Sequence, residues 1–517
     1  MRAESGIAGP VRVNGAEPQN GLVPSDTVEG HGGRIVEQIF TGLYHYGADG
    51  KIRAAMLDTL RTEDNRHYTI TLRAGWTFTD GTPVTAHSYV DAWNHAALST
   101  NGQAQRSFFA PVEGYADVAA TPPRARTLSG LSVRDDLTFT VTLRRPDSDF
   151  PRTLGCLPAR PLPRAFFELG AQAFGENPIG NGPYMMAGQG AWRHHEGLDL
   201  VPNPAYRGPG RPRNQGISFV FYDSLTTAYA DLLDGRLDVL DSVPDSVLAT
   251  YHRDMGARAV SRPIALNNHL AIPLDLPHFS GPEGRLRRAA ISRAIDRTRI
   301  TEQLLHHTRS PAKDFTARAL PGAGGPLPGA QVLSFDPDAA RALWAEANAL
   351  SPWDGVFRIA YNESGGYDVW IDALAGQLRG VLGIDVATMA HPTFKSIRDS
   401  IADGSLKSAF RTGWRGDYPS LINFLAPLFS SGAPGNEVGY RSPEFEAQLT
   451  AAKAASGAEQ CDAHVRHAQS ILLRDLPVIP LWDYQHAGGC GEGVSATFKW
   501  NGMPDYPGIE KRTPVQK

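Results

Sequence analysis

Cysteines, long apolar runs and secretion signals are scarce or missing in this chain of 517 residues. Three cysteines, Cys156, Cys461 and Cys490, are too few and too scattered for a disulfide scaffold or a zinc cluster. The sequence allows one disulfide, for example between Cys461 and Cys490, and predicts a buried free thiol for at least one of the three. No run approaches the roughly 18 apolar residues of a transmembrane helix. Residues 1–5 also lack the apolar segment of a secretion signal.

Motifs of the common enzyme classes are missing as well. The sequence contains no G-x-S-x-G, no H-E-x-x-H, no Walker loop and no G-x-G-x-x-G after a strand pattern. The pairs His194-His195 and His306-His307 are the best metal candidates, but adjacent side chains on a helix or strand diverge. We therefore predict that both pairs lie on the surface, and we expect no catalytic residue, metal site or cofactor.

Composition bounds the class of protein. A hydrophobic content of 41% with 20% charged residues is typical of a globular chain, and this length predicts two or three domains. The formal net charge is only -4, and no basic block interleaved with aromatic residues occurs. Nucleic acid is therefore not an expected partner.

Strand, helix and strand patterns occur twice in this order, which indicates two α/β lobes. The first set spans residues 217–240 and the second spans residues 357–387. Between them, residues 285–297 predict an amphipathic helix whose arginines form a solvated face. Nearer the N-terminus, a helix is predicted over residues 34–43, and Thr85 is predicted to cap another.

The stretch at residues 410–431 places one carboxylate, Asp417, among aromatic and apolar residues. Residues 409–414 predict a buried strand that Gly416 and Pro419 end, so Asp417 is expected on a loop at a strand end. Ligand groups of α/β proteins commonly lie at such a position. A desolvated acid needs a cation or several N–H donors, and a ligand ammonium group supplies both. A turn aspartate that faces water is the alternative that these residues leave open.

The motif Trp414-x-x-Asp417-Tyr418 resembles the matching region of family 5 extracellular solute-binding proteins, of an actinobacterial type. These are the oligopeptide and dipeptide receptors of ABC importers. The resemblance implies an α/β fold of the periplasmic-binding-protein type II class (cluster C), with two lobes joined by a hinge and an inserted third domain. Further motifs extend the likeness over nearly the whole chain: Phe78-x-Asp80-Gly81-x-Pro83, residues 177–184, 285–297 and 476–482, Asn436, Tyr440 and Pro443-Glu444-Phe445.

The resemblance also implies domain boundaries. Lobe I would comprise residues 1–46, 177–262 and 487–517, the inserted domain II residues 47–176, and lobe II residues 263–486. The crossings near residues 262 and 486 would act as a hinge, and a peptide bound in the cleft between the lobes would favour the closed form.

Site residues follow from the same resemblance. Asp417 is the only position that can inherit the family's aspartate, which grips the α-ammonium group of the ligand. Arg411 matches a family arginine that can meet a peptide carboxylate, and an internal salt bridge is the alternative. The remaining candidates would line the pocket, with a plain core role as the alternative for Trp414 and Tyr418. They are Trp414, Tyr418, Trp482, Tyr484, Phe108, Phe109 and His269.

The sequence therefore predicts a monomeric extracytoplasmic oligopeptide-binding protein that delivers peptides to the permease of an ABC transporter, without catalysis. A cell-surface lipoprotein whose signal and lipidated cysteine are absent from this chain is the expected form. Some relatives that it resembles are encoded in antibiotic gene clusters, including that for clavulanic acid, which suggests a link to secondary metabolism. The alternatives are a non-peptide ligand (an opine or modified amino acid, an oligosaccharide or a metal chelate) and a hydrolase.

Overall fold

The computed structural model describes residues 9–363, 367–433 and 435–512, and these residues form two units. Unit 1 takes its described residues from Met1–Pro244, Thr250–Val260 and Gly488–Lys517, and unit 2 from Asp245–Ala249 and Ser261–Ala487. The chain changes unit at 244/245, 249/250, 260/261 and 487/488. The hinge expected near residues 262 and 486 stays a prediction. Residues 47–176 belong to unit 1, so a separate inserted domain stays a prediction.

Unit 1 contains the first twelve strands and the first eight helices. The strands are β1 Val11–Gly15, β2 Tyr44–Tyr46, β3 Ile52–Ala54, β4 Leu57–Arg61, β5 His67–Leu72, β6 Leu131–Asp135, β7 Thr138–Thr142, β8 Tyr184–Met186, β9 Trp192–Arg193, β10 Gly197–Pro202, β11 Ile217–Phe221 and β12 Val239–Leu240. The helices are α1 Gly30–Ile39, α2 Ala86–Ala97, α3 Tyr115–Val118, α4 Phe150–Thr153, α5 Arg164–Leu169, α6 Ala171–Glu176, α7 Leu225–Leu233 and α8 Tyr251–Met255.

Two sheets organise unit 1. In the larger one, β1 lies parallel to both β11 and β12, and β10 and β8 continue it in antiparallel order, with β9 beside β10. The smaller sheet is antiparallel with the order β4-β5-β7-β6 and lies within residues 47–176. Thr85 precedes α2 and forms a capping box with Ser88, as its position before a helix pattern predicted.

Unit 2 contains the remaining helices and most of the remaining strands. The strands are β13 Ala259–Ala271, β14 Arg309–Pro311, β15 Phe357–Asn362, β16 Val386–His391, β17 Ala409–Arg415 and β18 Val478–Cys490, and β19 Val494–Ser495 and β20 Glu510–Lys511 follow in unit 1. The helices are α9 Gly281–Ala294, α10 Arg297–Arg299, α11 Pro337–Leu350, α12 Asp368–Leu382, α13 Phe394–Ala402, α14 Ile422–Phe429, α15 Pro443–Ala454 and α16 Ala458–Asp475.

The sheet of unit 2 has the order β16-β15-β17-β13-β18, with β14 paired to β18. Its strands carry apolar side chains on both faces. Leu270 packs in one hydrophobic cluster and its neighbour Ala271 packs in another, because successive side chains of a strand point to opposite faces. Ile359 and Ala360 divide between the same two clusters. Helices therefore cover both faces, which is the layer arrangement of α/β proteins.

Both predicted strand-helix-strand units are confirmed. The first is β11, α7 and β12, and the second is β15, α12 and β16, in which β15 and β16 are parallel neighbours. Gly383 ends α12 with a φ of 67°, a left-handed conformation that glycine adopts without strain.

The predicted solvated face on residues 285–297 is wrong for three arginines. Arg287, Arg288 and Arg297 are buried. Arg288 donates to the carbonyl oxygens of Phe279 at 2.6 Å and Leu476 at 2.8 Å, and its third donor reaches Asp475 O at 2.8 Å. Arg297 is also hydrogen-bonded to backbone carbonyls. Guanidinium groups therefore satisfy backbone acceptors here, because a buried carbonyl without a donor is costly.

Helix α1 begins at Gly30 and ends at Ile39, not over residues 34–43, because the Glu29 side chain caps the N–H groups of His31 and Gly32 and Phe40 is extended. None of the three cysteines, all within the described residues, forms a disulfide, and Cys490 is buried. Among the described residues, no helix combines the length and apolar character needed to cross a membrane.

Candidate ligand-binding site

Strand β17 ends at Arg415, and Asp417 follows on the loop that precedes α14. The strand is close-packed against β13: a Cβ placed on Gly413 would lie 2.3 Å from the carbonyl oxygen of Asn267. The Gly416 N–H donates to Ala265 O at 2.9 Å, which extends the pairing to the residue before Asp417. The predicted strand end is therefore confirmed, and the strand positions the carboxylate. The predicted burial of the strand holds only for Ala409 and Phe410, because the later residues are half-buried or exposed.

Asn423 on α14 holds the Asp417 residue. Its Oδ1 accepts from the Asp417 backbone N–H at 2.8 Å, and its Nδ2 donates to Asp417 Oδ2 at 3.0 Å. The same Oδ1 accepts from Trp414 Nε1 at 3.4 Å. Asn423 is buried, so this neutral amide restricts the loop and the carboxylate without neutralising the negative charge.

Asn267 on β13, the strand paired with β17, also contacts β17 through its side-chain amide. Its Oδ1 accepts from the Trp414 N–H at 3.0 Å, and its Nδ2 donates to the carbonyl oxygens of Phe315 at 3.1 Å and Thr316 at 3.2 Å. One buried amide therefore links β17 to the loop that follows β14.

Asp417 combines an exposed side chain with a partly desolvated carboxyl. The surrounding protein raises the pKa of this carboxyl by desolvation, and the hydrogen bond from Asn423 acts in the opposite direction. Exposure decides whether a ligand can reach the carboxyl, whereas the pKa reflects the protein packed around it. An ammonium group at this position would replace the lost solvation and favour the charged carboxylate.

Arg411 lies on the same strand and contacts uncharged groups. Its guanidinium carbon is 3.9 Å from the ring centroid of Tyr367, and its Nε and Nη2 donate to Asn362 Oδ1 at 3.3 and 3.0 Å. These contacts orient a guanidinium while leaving its positive charge in place. That arrangement suits an anionic group on a ligand.

Tyr484 lies on β18 in a second guanidinium-aromatic stack. The Arg309 guanidinium carbon is 3.6 Å from its ring centroid, and the Tyr484 hydroxyl accepts from Asn268 Nδ2 at 3.3 Å. Burial raises the pKa of Tyr367 most strongly, and Tyr484, Arg411 and Arg309 also affect it through their charges. The two guanidinium-aromatic stacks therefore lie close enough within unit 2 to interact electrostatically.

The other predicted residues occupy different environments. Trp414 and Tyr418 are half-buried around the Asp417 loop. Trp482 is 1% exposed and packs edge-on against Trp370 at 4.7 Å, so core packing explains it without a ligand. His269 is buried on β13, and desolvation lowers its pKa to about 3, which keeps the ring neutral.

Phe108 and Phe109 lie in unit 1, on the short 3-10 helix Arg106–Phe109. Phe109 is buried 5.7 Å from Trp93, and Phe108 packs edge-on against Phe109 at 5.1 Å. Phe108 is the more accessible of the two.

The histidine pair at 194–195 forms an ion-pair cluster in unit 1. His194 Nδ1 lies 2.8 Å from Glu17 Oε1, and His194 Nε2 lies 3.0 Å from Glu176 Oε2. The hydrogen bond with Glu17 is the main cause of a raised pKa at His194. Within residues 9–363, 367–433 and 435–512, no three His, Cys, Asp or Glu side chains are arranged to hold a metal ion.

Sequence reasoning did not identify Asn267 and Asn423 as part of this site. The available signal was the presence of an uncharged polar residue inside an apolar strand or helix pattern. Such a residue is hydrogen-bonded when buried, but its partners depend on the tertiary fold.

Comparison with known proteins identifies the family. Residues 52–436, more than half of the chain, match the model described as "Bacterial extracellular solute-binding proteins, family 5 Middle". The chain belongs to this family. It is 26% identical over 461 residues to the periplasmic murein peptide-binding protein MppA of Escherichia coli (strain K12), covering 87% of this chain and 83% of that protein.

A second family 5 relative is the periplasmic oligopeptide-binding protein OppA of Haemophilus influenzae, 26% identical over 497 residues, with 91% of this chain and 87% of that protein covered. The solved structure of MppA in its unliganded open form matches with a TM-score of 0.80 at 22% identity, and the match covers 99% of both chains. These matches confirm the predicted α/β fold of the periplasmic-binding-protein type II class. Members of family 5 are solute-binding receptors.

Proposed function

We propose that this family 5 protein binds oligopeptides outside the cytoplasm and delivers them to an ABC transporter, without catalysis. The observation that carries the proposal is an exposed Asp417 carboxylate held at a strand end by Asn423. The names of MppA and OppA, which describe a murein peptide-binding and an oligopeptide-binding protein, support the ligand class.

The chemistry of the Asp417 loop suits the amino terminus of a peptide. An ammonium group supplies three N–H donors and a positive charge, and a carboxylate forms strong charge-assisted hydrogen bonds with such a group. We expect the ligand ammonium group to donate to the Asp417 carboxylate, whose Oδ2 also accepts from Asn423 Nδ2. Because the side chain is partly desolvated, this ion pair is stronger than one in open water.

Arg411 is the proposed partner of a ligand carboxylate. Its stacking on Tyr367 and its hydrogen bonds to Asn362 set the plane of the guanidinium. A planar fork of donors then faces its anion with little further loss of side-chain freedom.

Native mass spectrometry of the purified protein, followed by denaturation, tests the ligand class directly. Peptides of a narrow length range among the released molecules support the proposal. A modified amino acid, an oligosaccharide or a metal chelate would instead favour the alternative of a non-peptide ligand. Recovery of the bound ligand unchanged after prolonged incubation argues against a hydrolase, whereas its turnover would revive that alternative.

Several finer expectations remain proposals. They concern the form of the protein in its organism: lipid anchoring at the cell surface, the monomeric state and the link to clavulanic acid-type biosynthesis. Mass photometry of the purified protein tests the monomer, and metabolic labelling of the native gene product with a fatty acid tests the anchor.

A further inference from the structure

A cavity of about 740 Å³ lies within unit 2, between the start of α10 and the loop at residues 311–335. Its volume falls in the range of about 300 to 1,000 Å³ that small-molecule sites occupy. Asp417, Arg411 and the aromatic residues assigned to the peptide do not line it. The proposed peptide site therefore does not account for this cavity.

The wall of this cavity is held by buried side chains. Asp314 Oδ1 accepts from the Thr316 N–H at 2.7 Å and from Thr316 Oγ1 at 2.6 Å, and Asp314 Oδ2 accepts from the Gly324 N–H at 3.0 Å. The loop is further tied to β13 by the hydrogen bonds of Asn267 to Phe315 O and Thr316 O. Because these groups are buried, the loop has a defined conformation.

Two exposed cations, Lys313 and Arg318, line the cavity. Neither has a salt-bridge partner among the residues that the structure describes. Arg297 is the third cation of the lining, and it donates to backbone carbonyls. Asp296 is the one carboxylate of the lining, and its Oδ1 accepts from the Arg299 N–H at 2.9 Å. The positive charges of Lys313 and Arg318 are therefore available to an anion.

The buried carboxyl group of Asp483 has a raised pKa, which favours its uncharged form. Desolvation and the nearby Asp314 raise its pKa to about 8, and Arg318 acts in the opposite direction. Both carboxylate oxygens of Asp314 accept hydrogen bonds from the three donors that organise the loop.

An apolar surface completes the lining. Leu327 and Leu333 are buried, whereas Phe335 is 45% exposed. An exposed phenylalanine beside a cavity offers apolar area whose burial by a ligand is favourable.

We propose that this cavity is a second ligand site, which binds a small organic anion with an apolar body. The carboxylate of the ligand would lie against Lys313 and Arg318, and its hydrocarbon part would lie against Leu327 and Phe335. The site would be occupied independently of the peptide, so this proposal does not rest on the proposed function.

Isothermal titration calorimetry with decanoate tests the proposal, with 1-decanol as the uncharged comparison. We expect one decanoate per chain, weaker binding of 1-decanol, and a Kd for decanoate at least about tenfold higher in the Lys313→Gln/Arg318→Gln double variant. Phe335→Ser should also weaken decanoate binding. Lys407→Gln, which replaces an exposed lysine outside the cavity lining, is the matched control and should leave the Kd unchanged.

The outcomes separate this site from the peptide site. The proposal predicts that Asp417→Asn leaves decanoate binding intact and that a free-amine peptide does not displace decanoate. No decanoate binding, an unchanged Kd in the double variant, or displacement by the peptide would each overturn it. The unfolding temperatures of all variants should lie within a few degrees of that of the parent. This control shows that a weaker affinity does not result from unfolding of the variant.

Discussion

Asn423 contacts Asp417 through both ends of one side-chain amide, accepting from its backbone N–H at 2.8 Å and donating to its Oδ2 at 3.0 Å. The backbone and the carboxylate of Asp417 are thus oriented by the same neutral group. A ligand ammonium would meet a carboxylate that has already lost much of its conformational freedom, which lowers the entropic cost of binding.

Replacing Asn423 with alanine should weaken binding of a free-amine peptide by about 1 to 3 kcal/mol, because the Asp417 carboxylate loses its orienting donor and the Asp417 backbone N–H loses its acceptor. Calorimetric titration measures the loss. In the double variant with Asp417→Asn, the two effects should be less than additive, since both act through one contact. Asn436→Ala is the matched control, because Asn436 bonds the backbone of Ser430 and Tyr440 and should affect stability without affecting affinity.

Arg411→Gln should weaken binding of a peptide with a free carboxyl terminus by about 1 to 3 kcal/mol, since a charge-assisted hydrogen bond is lost. A C-terminally amidated peptide should bind the parent and the variant alike, because it offers no carboxylate. Arg358→Gln replaces an exposed arginine of the neighbouring strand β15 and is the control. Equal losses for both peptides would instead assign Arg411 a structural role.

Arg288→Met should destabilise the protein by about 3 kcal/mol or more, because two buried backbone carbonyls and a partly buried one lose charge-assisted donors at once. Denaturant unfolding followed by circular dichroism measures this change. Arg285→Met is the matched control on the same helix, where the side chain is exposed, and should stay within about 0.5 kcal/mol of the parent. Similar values for the two variants would contradict the role assigned to Arg288.

The Asp483 carboxyl should make the free energy of unfolding fall as the pH rises. Its folded-state pKa of about 8 lies above its ordinary value of 3.8, mainly because of desolvation. The folded state therefore binds more protons than the unfolded state between these values, and stability falls as the pH rises through this window. Asp483→Asn should remove this contribution, so the variant should gain stability relative to the parent between about pH 5 and about pH 8.

Denaturant titrations at several pH values test this expectation. The control is Asp338→Asn, which replaces an exposed carboxylate on α11. Its unfolding free energy should differ from that of the parent by the same amount at every pH in this range. If the difference in unfolding free energy between Asp483→Asn and the parent is also constant with pH, the Asp483 carboxyl is not protonated in the folded state over this range.

The position of Asp417 was predictable from the sequence, whereas the residues that hold it were not. An apolar strand pattern followed by Gly416 and Pro419 is local information, and it predicts a carboxylate at a strand end. Asn423 lies in an apolar helix pattern, and nothing in that pattern states which group its amide would meet. Its role depends on how α14 packs beside β17.

The buried arginines of unit 2 show the same limit. The sequence pattern predicted a helix over residues 285–297, and the observed helix spans Gly281–Ala294. Its Arg288, however, bonds Leu476, which is 188 residues away. Charged residues on an amphipathic helix usually face water, so local reasoning favours exposure. Burial was decided by backbone carbonyls that only the folded chain brings to this position.

Calorimetric titration of the parent and Asp417→Asn with one peptide, in free-amine and N-acetylated form, tests the central claim most directly. We predict that the substitution weakens the free-amine peptide by about 2 to 5 kcal/mol, because one member of a desolvated charge pair is lost. The N-acetylated peptide should bind weakly to both proteins. If Asp417→Asn binds the free-amine peptide as tightly as the parent does, Asp417 does not anchor the ammonium group and the proposed site is wrong.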